Sequence, residues 1–287
     1  MPDVYQIVTD RVMAALEMEE VPWQRPWCSV NGGAYNRVSG KHYSLINQML
    51  LSHSGEYATF KQWTELGGKV RKGEKGEMVV FFKWPDQDKE DQTADDNKEE
   101  TQEEDRSRRP VLRYYKVFHI SQIESVAPRE RQIPVYSSDP ITIGEKVFWN
   151  YVSRERIRVD LEPSNEAYYS PSKDLIHLPE LSQYKYPSEF CSTAFHECVH
   201  STGSTTRLNR VGLKKASFGS ETYSKEELIA EIGAAALLNT LGIETDHSTR
   251  NSTAYIRGWL KALRDDRRLI IQAAGQAEKS VSFILNM

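Results

Sequence analysis

Apolar residues near the start of the chain fall at helical spacing, with Val4, Ile7, Val8, Val12, Ala15 and Leu16 on one face. Pro22 closes the segment, and the pattern predicts a helix over about residues 3–20. Two shorter helix-like runs follow, LINQMLLSH and ATFKQWTELGG. A turn-rich basic loop, KVRKGEKGE, then leads into Met78–Trp84, whose β-branched and aromatic residues predict a strand. Val111–Ile120 has the same character, and the economical arrangement joins the two as one hairpin. Between them, Asp86–Asp105 holds eleven acids, two lysines and no aromatic or large aliphatic residue. Such a stretch cannot bury enough surface to offset its ordering entropy, so a disordered acidic loop is predicted over about 86–109. The polar, proline-containing sequence that follows predicts a linker over 127–140.

Beyond the linker the pattern becomes mostly helical. TIGEKVFWNYVSRERI predicts a helix, and NEAYYSPSKDLIHLPELSQY predicts two short strands around a Pro-Ser-Lys-Asp turn. Helices are predicted from about Pro187 and about Ser224, and two more over roughly Ser252–Asp265 and Arg267–Asn286. The expected fold class is α+β in two domains. Residues 1–126 form an α+β unit, and residues 141–287 form a mostly helical unit with a small sheet.

Composition narrows the class. The 287 residues are 39% hydrophobic and 27% charged, as in soluble globular proteins, and no apolar run reaches the ~18 residues that span a bilayer. The acidic, amphipathic N-terminus lacks the basic-then-apolar layout of a signal peptide, so a cytoplasmic protein without membrane contact is expected. Cys28, Cys191 and Cys198 are scattered and form no CxxC pair, which excludes a disulfide framework and a thiolate zinc site.

The candidate chemistry lies in TAFHECVHSTG. His196 and His200 are four apart, so on a helix they project from one face and can share one ion. Neutral imidazole suits zinc, and Glu197, beside the first histidine, can take a proton from a metal-activated water. Ala194, Phe195, Cys198 and Val199 mark this as a buried helix, where two imidazoles and a carboxylate are costly unless something such as a metal satisfies them. A third ligand is sought downstream in EELIAE, where Glu227 and Glu231 are again four apart. One can bind the metal while the other holds a ligand histidine's free ring N–H; the assignment taken is Glu227 as ligand and Glu231 as its supporting carboxylate. Zinc is the expected ion, with manganese or another divalent metal also accepted by such a site. Tyr223 is a candidate to polarise a substrate carbonyl, Asp174–Pro179 is read as an edge strand open to an extended peptide, and His177 as a residue on that strand's surface.

Over Trp23–Pro85 nine Lys or Arg stand against four Asp or Glu, interleaved with aromatics. Cations that track phosphates and flat rings that stack bases suit a single strand of nucleic acid. The candidate contacts are Trp27, Tyr35, Arg37, Lys41, Tyr43, Lys61, Trp63, Arg71, Lys72 and Lys75. Neither a recognition helix nor zinc-finger spacing is present for reading a duplex.

Taken in order, PWQRPW, NGGAYNRVSGKHYSLIN, ATFKQWTELGGKVRKGEKG, MVVFFKW and RYYKVFHISQ resemble the N-terminal domain of ArdC-type antirestriction proteins of conjugative plasmids. The likeness continues through AYYSPSKDLIHLPE, FHECVHSTGSTTRLNR and YSKEELIAEIGAAALL, covering roughly residues 3–285. It implies a single-stranded-DNA-binding N-terminal domain, a zincin-like metallopeptidase domain, and protection of incoming plasmid DNA from host restriction. By that pattern His196, His200 and Glu227 are metal ligands and Glu197 the general base. The acidic insert in the hairpin departs from the family pattern, as a polyanion able to compete with DNA for the basic surface. Two alternatives keep the same site. One is a DNA-dependent metalloprotease acting on DNA-bound proteins, similar in plan to Spartan and SprT. The other is a non-catalytic, metal-stabilised binder of a host restriction enzyme subunit.

Overall fold

The computed structural model describes residues 3–30, 32–83, 110–129, 139–210, 221–244 and 253–287, apart from the side chains of 221–223 and 253–255. The predicted acidic loop and most of the predicted linker lie outside the described residues. Helix α1 (Val4–Glu17) starts at Asp3, whose carboxylate accepts the Tyr5 N–H at 3.0 Å, and buries Val8, Val12 and Leu16. Strand β1 (Ala34–Asn36), helix α2 (Leu45–Leu50), strand β2 (Gly55–Thr59), helix α3 (Phe60–Glu65), strand β3 (Lys69–Val70), strand β4 (Glu77–Lys83), strand β5 (Val111–His119) and strand β6 (Ile123–Glu124) complete the N-terminal half. The expected hairpin is present, β4 and β5 pairing antiparallel from Glu77 opposite Val117 to Lys83 opposite Val111. It forms one side of a four-stranded sheet ordered β1-β2-β5-β4.

The run read as one helix from Ala58 instead begins as a strand. Thr59 and Gln62 form a reciprocal cap, with Gln62 N–H donating to Thr59 Oγ1 at 3.2 Å and Thr59 N–H to Gln62 Oε1 at 3.0 Å. That cap sets the start of α3 at Phe60.

In the second half, helix α4 (Pro140–Arg154) is capped by Asp139, whose carboxylate accepts the Thr142 N–H at 3.1 Å. Strands β7 (Arg158–Glu162), β8 (Tyr168–Ser170) and β9 (Leu175–Pro179) precede helices α5 (Pro187–Thr202), α6 (Glu221–Leu241), α7 (Thr253–Asp265) and α8 (Leu269–Leu285). The sheet order is β7-β9-β8, which corrects the edge-strand expectation for Asp174–Pro179. β9 is central, paired parallel to β7 and antiparallel to β8, and its residues Leu175–Leu178 are all buried, as a strand flanked on both edges requires. His177 is accordingly buried and stacks on Tyr168 at 5.0 Å, so its placement on the strand surface is also corrected. The overlooked strand was β7, whose charged RVDLE resembles a loop.

One apolar core runs through both halves. It takes in Val12 and Leu16 of α1, Trp23, Leu45 and Met49 of α2, and Val80 of β4, and continues into the helices α4–α8. Trp23 meets Trp259 of α7 edge-on at 5.1 Å. Polar bonds reinforce this seam. Asn239 Nδ2, near the end of α6, donates to the carbonyls of Arg25 and Cys28 at 3.0 and 3.1 Å, and Glu278 of α8 accepts the Leu45 N–H at 3.2 Å. Replacing Asn239 with Ala leaves those carbonyls short of a donor and is expected to lower stability by about 1–3 kcal/mol, read as an earlier midpoint in urea denaturation.

Candidate metal centre

Helix α5 turns the face carrying Cys191, Ala194, Phe195, Cys198 and Val199 into the core, each at most 2% exposed. This fixes the rotation of the helix and points His196 and His200 together toward α6. Helix α6 approaches closely because Gly233 faces Val199; a Cβ at Gly233 would lie 2.8 Å from Val199 Cγ2. The approach brings Glu227 between the histidines. His196 Nε2 and His200 Nε2 are 3.0 Å apart, and the Glu227 carboxylate lies 3.4 Å from the first and 3.3 Å from the second.

Those separations test whether a metal fits. Donors ~2.0–2.2 Å from one centre at tetrahedral angles lie about 3.3 Å from each other, so the two imidazole nitrogens, each near one oxygen of the Glu227 carboxylate, are spaced as a shared ion requires. Among the described residues, His196, His200 and Glu227 are the group able to hold a metal. Glu231, assigned as the supporting carboxylate, lies 3.5 Å from His196 Nδ1. Glu226 lies 3.7 Å from His200 Nδ1, a partner the sequence reading missed. Helical spacing pairs Glu227 with Glu231 on one face, and the packing of α6 on α5 turns Glu226 toward His200. Glu197 is 6% exposed and adjoins the ligand site along α5. The Tyr223 side chain lies outside the described residues.

The electrostatics call for a cation. Burial by itself pulls the His200 imidazole down, but the Glu226 and Glu227 carboxylates outweigh it and push the ring up to about 10. His196 is opposed by burial in the same way and is raised by Glu227. Burial pushes the Glu227 carboxyl up, yet the two histidines hold it well below the usual carboxylate range. The carboxylates around the two imidazoles thus favour positive charge at the site, whether carried by protons or by a metal ion.

The proposed DNA contacts divide by environment. Trp63 is fully buried and donates its ring N–H to Phe118 O at 2.9 Å, so it offers no face to a base. Arg37 is ion-paired with buried Glu56. Trp27 is half-buried with its N–H on Leu51 O at 3.1 Å, Tyr35 leans on His42 at 5.7 Å, and Tyr43 packs edge-on against Tyr57 at 6.3 Å. Lys41, Lys72 and Lys75 are exposed, as are Lys61, 3.8 Å from Glu65, and Arg71, 3.0 Å from Glu74. The sequence reading missed the aromatics of the hairpin. Phe82, Tyr114 and Tyr115 are each about half exposed, and Phe81 stacks on Tyr115 at 4.6 Å with an interplanar angle of 2°. Arg113 and Lys116 are exposed among them. The signal was available in RYYK, because adjacent tyrosines on a strand cannot both face one core.

Residues 2–118 match the N-terminal domain of anti-restriction factor ArdC, and residues 150–276 match the zincin-like metallopeptidase family. The crystal structure of antirestriction protein ArdC from plasmid R388, in metal-free and Mn(II)-bound forms, superposes with a TM-score of 0.72 at 31% identity, over 99% of this chain and 97% of that one. This chain belongs to the ArdC-type antirestriction proteins. Uncharacterized protein y4eC of Sinorhizobium fredii is 31% identical over 96% of this chain and 90% of its own length. DNA primases TraC of Escherichia coli are 32% and 33% identical over 98% of the chain, which spans only 27% and 20% of their length. Among the described residues no helix is long and apolar enough to cross a membrane.

The raised histidines fix the sign of a pH effect. Their protons stabilise the metal-free fold fully below pH ~6.5, and this contribution fades as pH rises toward 10 for His200. A metal must displace those protons, so its affinity is expected to rise across the same range, with proton release per metal seen by calorimetry in buffers of different ionisation enthalpy.

Proposed function

We propose that this antirestriction protein couples a single-stranded-DNA-binding N-terminal half to a zinc-dependent peptidase, and that it protects incoming conjugative plasmid DNA in the cytoplasm. The observation that carries the peptidase reading is the convergence of His196, His200 and Glu227 within 3.0–3.4 Å, next to the buried Glu197. A divalent cation held there would supply Lewis acidity to a water and to a carbonyl oxygen. Zinc suits two imidazoles and a carboxylate, and manganese, present in the related R388 structure, is the second choice.

The chain's own groups then act in turn. Glu197 takes a proton from the attacking water and returns it to the departing amide nitrogen as the C–N bond breaks. Tyr223 is assigned to the carbonyl oxygen. An extended peptide is placed along β8, an edge of the β7-β9-β8 sheet, in the role first given to β9. Glu197→Gln is expected to keep metal affinity and to lower hydrolysis by at least ~100-fold, measured on a generic protein substrate or as self-cleavage.

On the N-terminal half, the hairpin aromatics with Arg113, Lys116, Lys72 and Lys75 suit a single strand of DNA better than the buried Trp63 does. Tyr115→Ala is expected to weaken oligonucleotide binding about tenfold in fluorescence anisotropy, whereas loss of binding only in high salt would point to charge without stacking.

One observation favours a second reading. The core shared by the two halves ties α6, which carries Glu227, to the segment holding Trp27. DNA-stimulated cleavage, as in a protease of DNA-bound proteins, fits that link. Zinc-loaded protein incubated with and without single-stranded DNA separates the cases. Cleavage that DNA accelerates and Glu197→Gln abolishes supports a DNA-gated protease, while tight DNA binding without cleavage supports shielding or capture of a restriction enzyme subunit.

A further inference from the structure

Arg210 lies on the turn after α5 and is 7% exposed, although nothing in the sequence pattern singles it out. Its Nε donates to both carboxylate oxygens of Glu226, at 3.2 and 3.3 Å, and its Nη2 to the same carboxylate. Nη1 donates to Thr202 Oγ1 at 2.6 Å and to Ser280 Oγ at 3.0 Å, and Nη2 to the Val199 carbonyl at 2.7 Å. One side chain therefore satisfies the C-terminal end of α5 and joins it to α6 and α8. The space it occupies depends on Gly203, where a Cβ would stand 2.9 Å from Arg210 Nη2 and 3.2 Å from the His200 carbonyl.

We propose that Arg210 and Glu226 are a positioning pair for His200. Glu226, locked by Arg210, sets a carboxylate oxygen 3.7 Å from His200 Nδ1. At that separation the carboxylate acts through its charge rather than as a hydrogen-bond acceptor, favouring the ring proton on Nδ1 and leaving the lone pair of Nε2 toward His196 and Glu227. Glu231 serves His196 in the same sense from the next turn of α6. A carboxylate on either side of Glu227 thus orients each histidine, and among the described residues Glu226 is the one braced by a buried arginine. The pair rests on His196, His200 and Glu227 being a metal centre.

The test is a chelator-competition titration of the metal-free full chain with Zn(II) and Mn(II), together with imidazole 1H–15N spectra of the Zn(II)-loaded protein. Glu226→Gln is expected to weaken metal binding ~10–100-fold and to shift the His200 Nδ1–H resonance, while the His196 resonance stays in place. Glu226→Asp keeps the charge and the arginine partner but withdraws the carboxylate by one methylene, and is expected to lose affinity in the same direction. It decides the question should Glu226→Gln fail to fold. Unchanged affinity with an unchanged His200 resonance in a folded variant means that the pair only braces the helices, and overturns the proposal. Failure of the unsubstituted protein to bind either ion overturns the metal-centre reading itself, a result distinct from a deficit confined to the variants.

Discussion

The close crossing of α5 and α6 is the contact on which the rest depends. It exists because Gly233 presents no side chain to Val199, so two helices that each carry charge come near enough for their polar groups to meet. A glycine within a helix costs about 1 kcal/mol relative to alanine. Here that cost is offset by burial of Phe195, Cys198, Val199, Leu228 and Ile232 around the crossing. The apolar frame is also what gives the charges their strength, since carboxylates and imidazoles interact far more strongly away from water.

Within that frame the site is a problem of charge balance. Glu226, Glu227 and Glu231 lie 3.3–3.7 Å from the two histidines, Glu197 adjoins them on α5, and among the described residues Arg210 pairs with Glu226. A cation between His196 and His200 would offset this negative charge, and without one the carboxylates raise both histidines. Buried ionic groups of this kind contribute little net stability, because the desolvation of each charge opposes its attraction to the others.

The second constraint is the continuous core between the halves. Trp23 packs on Trp259, Asn239 caps the Trp23–Cys28 segment, and Glu278 holds the start of α2. The nucleic-acid candidates and the helix α6 that carries Glu227 are therefore parts of one packed body. Phe82, Tyr114 and Tyr115 stand exposed on the hairpin of the same sheet whose other residues, Met78, Val80 and Leu112, enter that core.

The sequence by itself determined the features that arise from local periodicity. The 3.6-residue repeat placed His196 and His200 on one face and Glu227 with Glu231 on another, and the alternating runs at Met78–Trp84 and Val111–Ile120 declared the hairpin. Those are short-range consequences of backbone geometry, which a single segment carries without its neighbours. What depended on packing stayed hidden. That β9 is central, that Trp63 is core and Tyr115 surface, and that Glu226 and Arg210 reach His200 follow from which elements lie against which. A tryptophan or a glutamate has the same composition and spacing whether it faces solvent or a histidine. Only the tertiary fold, by deciding which face is excluded from water, gave each of them its role.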